Sequence, residues 1–395
     1  MVSGQTRGVV RSHGGGRAMA RTRTLSYDRR HALNAICPYF TMFPLEYPLR
    51  VLAKHRAHNP IVMDPFCGRG TTLYAARILG LPARGIDSSP IAIAIAKAKL
   101  CSATSESALE LARELLGTGV RKVPDSEFFR LAFHPTTLRG VCAIREGLLG
   151  GRGNCEAAVL LRAAMLGCLH GPKAKRPAYQ AYFSNQMPRT FSSKPEYSVR
   201  YWRARGLRPP TVDVLTVLER KLSRIEAPIA VHRNYASHAR PGDSRAATSL
   251  PANSRDFSVV VTSPPYYGMR TYIEDHWLRS WFLGGPNQIR YGDSHSVQVC
   301  HGSVHAFTES LGAVWRNMSR THADRLDMYV RFGTIPSTKV DPRELMMASL
   351  EDSEVDWTVL STRPARTAAS GKRQAAQMSA ESTAALEYDF HIVRE

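Results

Sequence analysis

The chain has 395 residues, 43% of them hydrophobic, with 53 Lys and Arg against 33 Asp and Glu and a formal charge of +20. This length allows one large α/β domain with an insertion, or two to three domains. No apolar run approaches the roughly 18 residues needed to cross a bilayer, and the basic excess points to a polyanionic partner, nucleic acid first. The 7 cysteines are scattered and lack any C-x-x-C pair. That favours a reducing, cytoplasmic setting over a disulfide framework or a zinc ribbon.

Residues 1–30 carry Arg7, Arg11, Arg17, Arg21, Arg23, Arg29 and Arg30, and the first acid is Asp28. They contain no apolar stretch of the secretory kind, so a disordered basic arm that touches phosphates is expected. Met19 offers an alternative start within it.

Residues 31–100 form the first half of the expected core. A helical pattern over 47–53 is followed by a strand over 60–63. The strand runs into Asp64-Pro65-Phe66-Cys67-Gly68-Arg69-Gly70-Thr71-Thr72. A helical pattern then stops at Gly80, a second strand over 83–86 ends at Asp87, and a third helical pattern covers 91–99. Gly68 and Gly70 let the backbone approach a ligand closely. Asp87, 17 residues after Gly70, stands where an acid binds ribose hydroxyls. The loop lacks the third glycine of a dinucleotide fingerprint and has no Walker lysine, so a nucleoside without phosphates suits it better than a pyrophosphate. Asp64, at the end of the first strand, is placed to face a cation such as an amino-acid ammonium.

Residues 101–228 interrupt the core. Ser107-Ala108-Leu109-Glu110 resembles a capping box opening a helix, and 156–169 is a strongly helical stretch ended by Gly171. Between 171 and 208 stand Lys173, Lys175, Arg176, Arg189, Lys194, Arg200, Arg203, Arg205 and Arg208, with Glu196 the lone acid. Tyr179, Tyr182, Phe183, Phe191, Tyr197, Tyr201 and Trp202 lie among them. Cations neutralise phosphates while aromatics and arginine stack on bases or reach base edges, so this insertion is the expected nucleic-acid recognition region. The plainer alternative is a basic surface over a small aromatic core.

Residues 229–395 complete the core. Strands are expected over 229–231 and 257–261, and the second runs into Thr262-Ser263-Pro264-Pro265-Tyr266-Tyr267. Each proline lacks an N–H and fixes φ near −65°, which makes a stiff corner of outward carbonyls beside an aromatic ring. Such a corner suits a planar base bearing an NH2 group. The aromatics of 272–284 either pack as core or line the base pocket. Helix is expected over 307–317, strands over 328–332, 357–361 and 388–393, and a polar loop at 371–374. His295, Cys300, His301 and His305 lack the paired spacing of a zinc site, so no metal is expected.

The segments Asp64 to Thr72 and Thr262 to Tyr266 resemble the two signature motifs of the amino-directed DNA methyltransferases, which modify N4 of cytosine or N6 of adenine using S-adenosylmethionine. The resemblance implies a Rossmann-like α/β sheet, mostly parallel, with an antiparallel closing end. It implies that Phe66, Gly68, Gly70 and Thr71 lie along the S-adenosylmethionine pocket and that Asp87 binds the ribose. Phe43-Pro44 resembles the family's segment beside the methionine moiety. Gly242-Asp243-Ser244 resembles its stretch before the catalytic loop, with Asp243 toward the adenine edge. Ser263, Pro264, Pro265 and Tyr266 would then be catalytic and double-stranded DNA the partner, with a cognate restriction endonuclease possible in the same system. Serine before Pro-Pro-Tyr leans toward N4 of cytosine. Two alternatives stand beside this: an RNA or protein-glutamine N-methyltransferase with a related loop, and a non-catalytic DNA-binding protein on the same scaffold.

Overall fold

The computed structural model describes residues 32–38, 44–120, 122–172, 180–187, 194–225, 237–268, 273–289, 299, 302–335, 338–365 and 386–395. The basic arm, the strand expected over 229–231 and the polar loop at 371–374 lie outside them. Seven strands form one sheet in the order β3-β2-β1-β4-β5-β7-β6. They are β1 Val62–Asp64, β2 Ala83–Asp87, β3 His238–Pro241, β4 Val259–Thr262, β5 Leu326–Thr334, β6 Thr358–Pro364 and β7 Leu386–Arg394. The pairs from β3 through β5 are parallel, and β7 runs antiparallel to both β5 and β6. The Rossmann-like arrangement and its antiparallel end are as the sequence implies.

The central strands are apolar at nearly every position because both faces of the sheet are covered. In β4, Val259 and Val261 point to one face and Val260 to the other. On the first face Val51 and Leu52 of α1 (Glu46–His55) and Leu73 and Tyr74 of α2 (Thr71–Leu79) complete the core. On the second face Phe307, Leu311 and Trp315 of α11 (Val304–Met318) and Leu345 and Met346 of α12 (Pro342–Glu351) do so. β1 lies between β2 and β4, so the chain leaves it toward one side and later returns on the other. In open α/β sheets that switch point is where ligands bind, beyond the carboxyl ends of the strands.

The interrupting residues fold as helices α4 Ser105–Gly117, α5 Glu127–Ala132, α6 Pro135–Leu149, α7 Glu156–Cys168, α8 Pro195–Ala204 and α9 Val214–Leu222. They share one hydrophobic core with α3 (Pro90–Leu100) and α10 (Ile273–Phe282). Phe129 and Trp281 meet at 4.8 Å between ring centroids, which joins the helical unit to the helix that follows the Ser-Pro-Pro-Tyr corner.

Several local expectations change. α4 begins three residues earlier than the capping box suggested: Thr104 is the cap, its hydroxyl accepting from the Ser107 N–H at 3.1 Å. β3, with the sequence His-Ala-Arg-Pro, is absent from the expected strands because an edge strand needs no apolar run and tolerates proline. Helices α5, α6, α8, α9, α10 and α12 were also unmarked. Three of them, α6, α8 and α12, start with proline in the first turn, a signal of helix initiation that was there to be used.

Candidate active site

The first loop leaves β1 at Asp64 and turns through Gly68 and Gly70, with φ of +48° and +74°. A Cβ on Gly70 would stand 2.9 Å from Ala96 Cβ and 3.0 Å from Ala96 Cα. The close contact of this loop with α3 therefore requires glycine. A Cβ on Gly68 would meet nothing nearer than the Phe66 carbonyl at 3.9 Å, so the backbone there borders open space. Gly70→Val is expected to lose about 2–4 kcal/mol of stability from strain and overlap and to lose cofactor affinity with it. Urea unfolding checks the first part and calorimetric titration the second; unchanged stability would contradict the packing described.

Asp87 ends β2 beside this loop. Its Oδ2 accepts from the Gly68 N–H at 2.9 Å and its Oδ1 from the Ser89 N–H at 2.8 Å. Burial pushes its pKa up while those two N–H bonds pull it down, with a net rise. Each oxygen keeps acceptor capacity for a ribose hydroxyl. Thr71 is buried in the first turn of α2, and Phe66 packs edge-on against Trp315 with centroids 6.3 Å apart. Pro44 precedes α1, where its carbonyl accepts from the Tyr47 N–H at 3.0 Å. Phe43 lies outside the described residues.

The second loop leaves β4, the parallel neighbour of β1. Thr262 donates its hydroxyl to Asp64 Oδ1 at 2.6 Å, and Thr72 donates to the Val261 carbonyl at 3.0 Å. Here the structure corrects an expectation. Asp64 is 1% exposed and does not face an ammonium; its carboxyl ties the two loops together. The Phe66 N–H also donates to it at 3.1 Å. Burial raises its pKa to about 7 against the partial opposition of Thr262, Thr72 and the Phe66 N–H. A third link comes from the stretch after β3, where Ser244 Oγ donates to the Pro65 carbonyl at 2.6 Å. Asp243, expected at an adenine edge, takes the Arg245 guanidinium at 2.7 Å from Nη2 to Oδ2. Burial pushes its pKa up, but the Arg245 bonds win and hold it below the usual range.

Pro264 is buried, while Ser263, Pro265 and Tyr266 are half-buried. The Tyr266 phenol donates to Glu387 Oε1 at 2.5 Å, and the Ser263 hydroxyl acts on it with a smaller lowering effect on its pKa. Its ring meets Phe332 edge-on at 6.1 Å. Burial, then the Glu387 carboxylate, drives the phenol's pKa far upward, so it stays protonated. The thiol of Cys67 is buried and its pKa is likewise pushed far upward by burial, which makes it a poor nucleophile.

In the helical unit, Lys173, Lys175, Arg176 and Arg189 lie outside the described residues. Arg200, Arg203, Arg205 and Arg208 are exposed on or just after α8. Arg203 pairs with Glu127, Lys194 with Asp275 at 3.6 Å, and Arg205 lies 4.2 Å above the Tyr201 ring. Phe183 and Trp202, counted among the base-facing aromatics, are 0% exposed and belong to the core. The Trp202 indole donates to the Gln186 carbonyl at 2.7 Å. The alternative of an aromatic core under a basic surface is therefore correct for these two.

Three groups escaped the sequence: the Thr262 hydroxyl, Ser244 and Glu387. Thr262 and Ser244 both stood inside quoted motifs, and a hydroxyl closing an all-valine strand was the signal for Thr262. Nothing near Glu387 in the chain points to Tyr266, 121 residues away.

Residues 19–98 match the family model described as DNA methylase. No curated protein matches the chain. Among solved structures, the rRNA methyltransferase aviRa from Streptomyces viridochromogenes is 14% identical, with 90% of this chain and 87% of that one covered and a TM-score of 0.30. A protein described by the conversion of a disulfide bond into a thioacetal group during echinomycin biosynthesis is 9% identical, with 87% and 80% covered and a TM-score of 0.30. Similarity at that level carries nothing about substrate, and the fold rests on the strand order itself. The family match falls on the segment that holds Asp64, the Gly68–Gly70 loop and Asp87, and over that segment the chain is similar to the DNA methylases.

Proposed function

We propose that this protein transfers a methyl group from S-adenosylmethionine to the exocyclic amine of a base in double-stranded DNA, N4 of cytosine ahead of N6 of adenine. The observation that carries the proposal is the Thr262–Asp64 hydrogen bond of 2.6 Å, which joins the Asp-Pro-Phe-x-Gly-x-Gly loop to the Ser-Pro-Pro-Tyr loop across adjacent parallel strands. The open face of Gly68 and the remaining acceptor capacity of Asp87 fit the nucleoside part of the donor. S-adenosylmethionine, when bound, supplies a methyl group already activated by its sulfonium charge.

The residues of the chain then have defined tasks. An aromatic amine is a weak nucleophile because its lone pair is delocalised into the ring. Acceptors aimed at its hydrogens draw the nitrogen toward tetrahedral geometry and free that pair. The Pro264 carbonyl and the Ser263 hydroxyl are those acceptors. Tyr266 gives its own hydrogen to Glu387, so toward Ser263 its oxygen can only accept. A Ser263 hydrogen turned toward the Tyr266 oxygen leaves the serine lone pairs for the amine. The chain Ser263 to Tyr266 to Glu387 also leads away from the amine toward a carboxylate that accepts a proton. Orientation and fixed dipoles supply the rate. A base inside a duplex cannot reach this corner, so it is flipped out.

The test is methyl transfer from labelled S-adenosylmethionine to duplex DNA, tRNA and protein in parallel. Label in DNA alone supports the proposal, and label in tRNA or protein alone replaces it with one of the alternatives. Binding without transfer would mark a scaffold that has lost its chemistry. DNA affinity is expected to fall about 10²-fold or more between 50 and 200 mM salt if five or six phosphates are contacted, by counterion release; a flat salt response in a binding titration would remove the basic helical unit from the account.

A further inference from the structure

One face of α8 stays open once the helical unit is packed, and the proposed chemistry does not use it. Pro195, Ser198 and Trp202 turn inward, and the Trp202 ring lies 5.6 Å from Phe128 between centroids. The helical period then puts Tyr197, Arg200, Tyr201 and Ala204 on the opposite side, at spacings of three and four. Tyr197 is 46% exposed, and Arg200 is exposed with no hydrogen bond or ion pair among the described residues. Arg205, which ends the helix, holds its guanidinium carbon 4.2 Å from the centre of the Tyr201 ring. Ala204 adds little bulk, so a partner surface can approach closely. Glu196 and Arg203 stand to one side of this stripe, where Arg203 is taken by Glu127.

The stripe is tied to the proline corner through α10. Lys194, at the start of α8, pairs with Asp275 in the first turn of α10 at 3.6 Å. Phe128 packs against both helices, meeting Trp202 of α8 and, at 5.1 Å between centroids, Trp277 of α10. Tyr266 and Ile273, the first residue of α10, are seven positions apart. Full extension of that stretch keeps the start of α10 within about 25 Å of the corner. One turn of B-form DNA is about 34 Å. The first turn of α8, which carries Tyr197, therefore stands within about one duplex turn of a base delivered to the corner.

A second copy of this chain is a poor partner for the stripe, because the formal charge of +20 and facing arginines repel. A phosphate-lined groove is complementary to it. The major groove of B-form DNA is about 12 Å wide and accepts one α-helix. An arginine in that groove matches O6 and N7 of guanine with its rigid fork of donors. A guanidinium stacked on an aromatic ring has its plane set in advance, which suits a phosphate. We infer that the face of α8 bearing Tyr197, Arg200, Tyr201 and Arg205 reads the sequence of duplex DNA from the major groove, with Arg200 on a base edge and Arg205 on a backbone phosphate. The inference rests on the DNA substrate of the proposed function, and it assigns the choice of site to one helix of the inserted unit.

The experiment is methylation of unmodified genomic DNA by the full chain, read by modification-sensitive sequencing, with duplex binding followed by fluorescence anisotropy between 50 and 200 mM salt. Arg200→Ala is expected to admit sites that differ at one position, lowering the preference for the wild-type base there by about 5- to 100-fold. Arg200→Lys, which keeps the charge and loses the fork, should relax the same position and provides the answer if the alanine variant is inactive. Arg205→Ala is expected to keep the site set, to weaken binding to every duplex by a similar factor and to reduce the salt slope by about one contact. Both side chains are exposed, so the variants should melt as the wild type does. A site set unchanged in both Arg200 variants, a wild type without site preference, or an unchanged salt slope in Arg205→Ala overturns the assignment while the methyltransferase reading stands. A wild type that neither modifies nor binds duplex DNA overturns both. A preference for duplex RNA, whose major groove is too narrow for a helix, overturns the groove assignment, and so does a dimer in sedimentation that Tyr197→Ala dissociates, since the face would then serve self-association.

Discussion

Pro264→Ala is expected to lower kcat about 10²-fold while leaving the Kd for S-adenosylmethionine within about twofold, because a displacement of an ångström at the reacting group costs that much when catalysis is positioning. Alanine keeps the carbonyl and loses the ring that fixes φ. Pro264 lies two residues past the end of β4, outside the strand's ladder, so the variant should fold. On the proposed function the donor is held mainly by the other loop, so the effect should fall on turnover. Single-turnover methylation together with calorimetric titration separates the two quantities. Full turnover in the variant would show that the proline corner does not aim the acceptor. An equal loss in both would show that Pro264 belongs to the donor site instead.

The second large effect concerns Asp64. Its carboxyl is buried between the loops, with a pKa raised from 3.8 to about 7 by burial. A folded-state pKa above the unfolded one means that the protonated form is favoured by folding. That contribution is fully present below about pH 4 and is lost as pH rises through about 7. Wild type should therefore lose roughly 2–4 kcal/mol relative to Asp64→Asn across that window. The amide keeps an oxygen for the Thr262 hydroxyl and the Phe66 N–H and does not titrate. Urea unfolding of both proteins at pH 5, 6, 7 and 8 gives the difference directly, since other titrating groups are common to both. Parallel curves would mean that Asp64 carries an ordinary pKa and that the clasp is not buried as described.

The clasp has a functional side as well. The two loops come from segments almost two hundred residues apart, and on the proposed function methyl transfer requires them in fixed relation. A short hydrogen bond from Thr262 to Asp64, supported by Thr72 on the Val261 carbonyl, fixes that relation at the base of both loops. Charge on Asp64 strengthens the bond from Thr262 while making burial less favourable. The site therefore holds a carboxyl near its midpoint at neutral pH.

The sequence by itself determined the central strands, the helices that follow β1 and β2, the acid at the end of β2 and the proline corner after β4. These are elements whose residues are buried on both faces or need glycine or proline for conformational reasons, so local composition carries the signal. The tertiary structure alone decided the rest. The His-Ala-Arg-Pro segment became β3 because β2 offered it an open edge, not because of its own composition. Phe183 and Trp202 went into the core, since an aromatic among cations looks the same in sequence whether it faces a base or a neighbouring helix. Asp64 turned inward because Thr262, 198 residues away, stood on the neighbouring strand to receive it. Glu387 found Tyr266 for the same reason: strand pairing brings distant side chains within hydrogen-bonding distance, and nothing in either local segment records the partner.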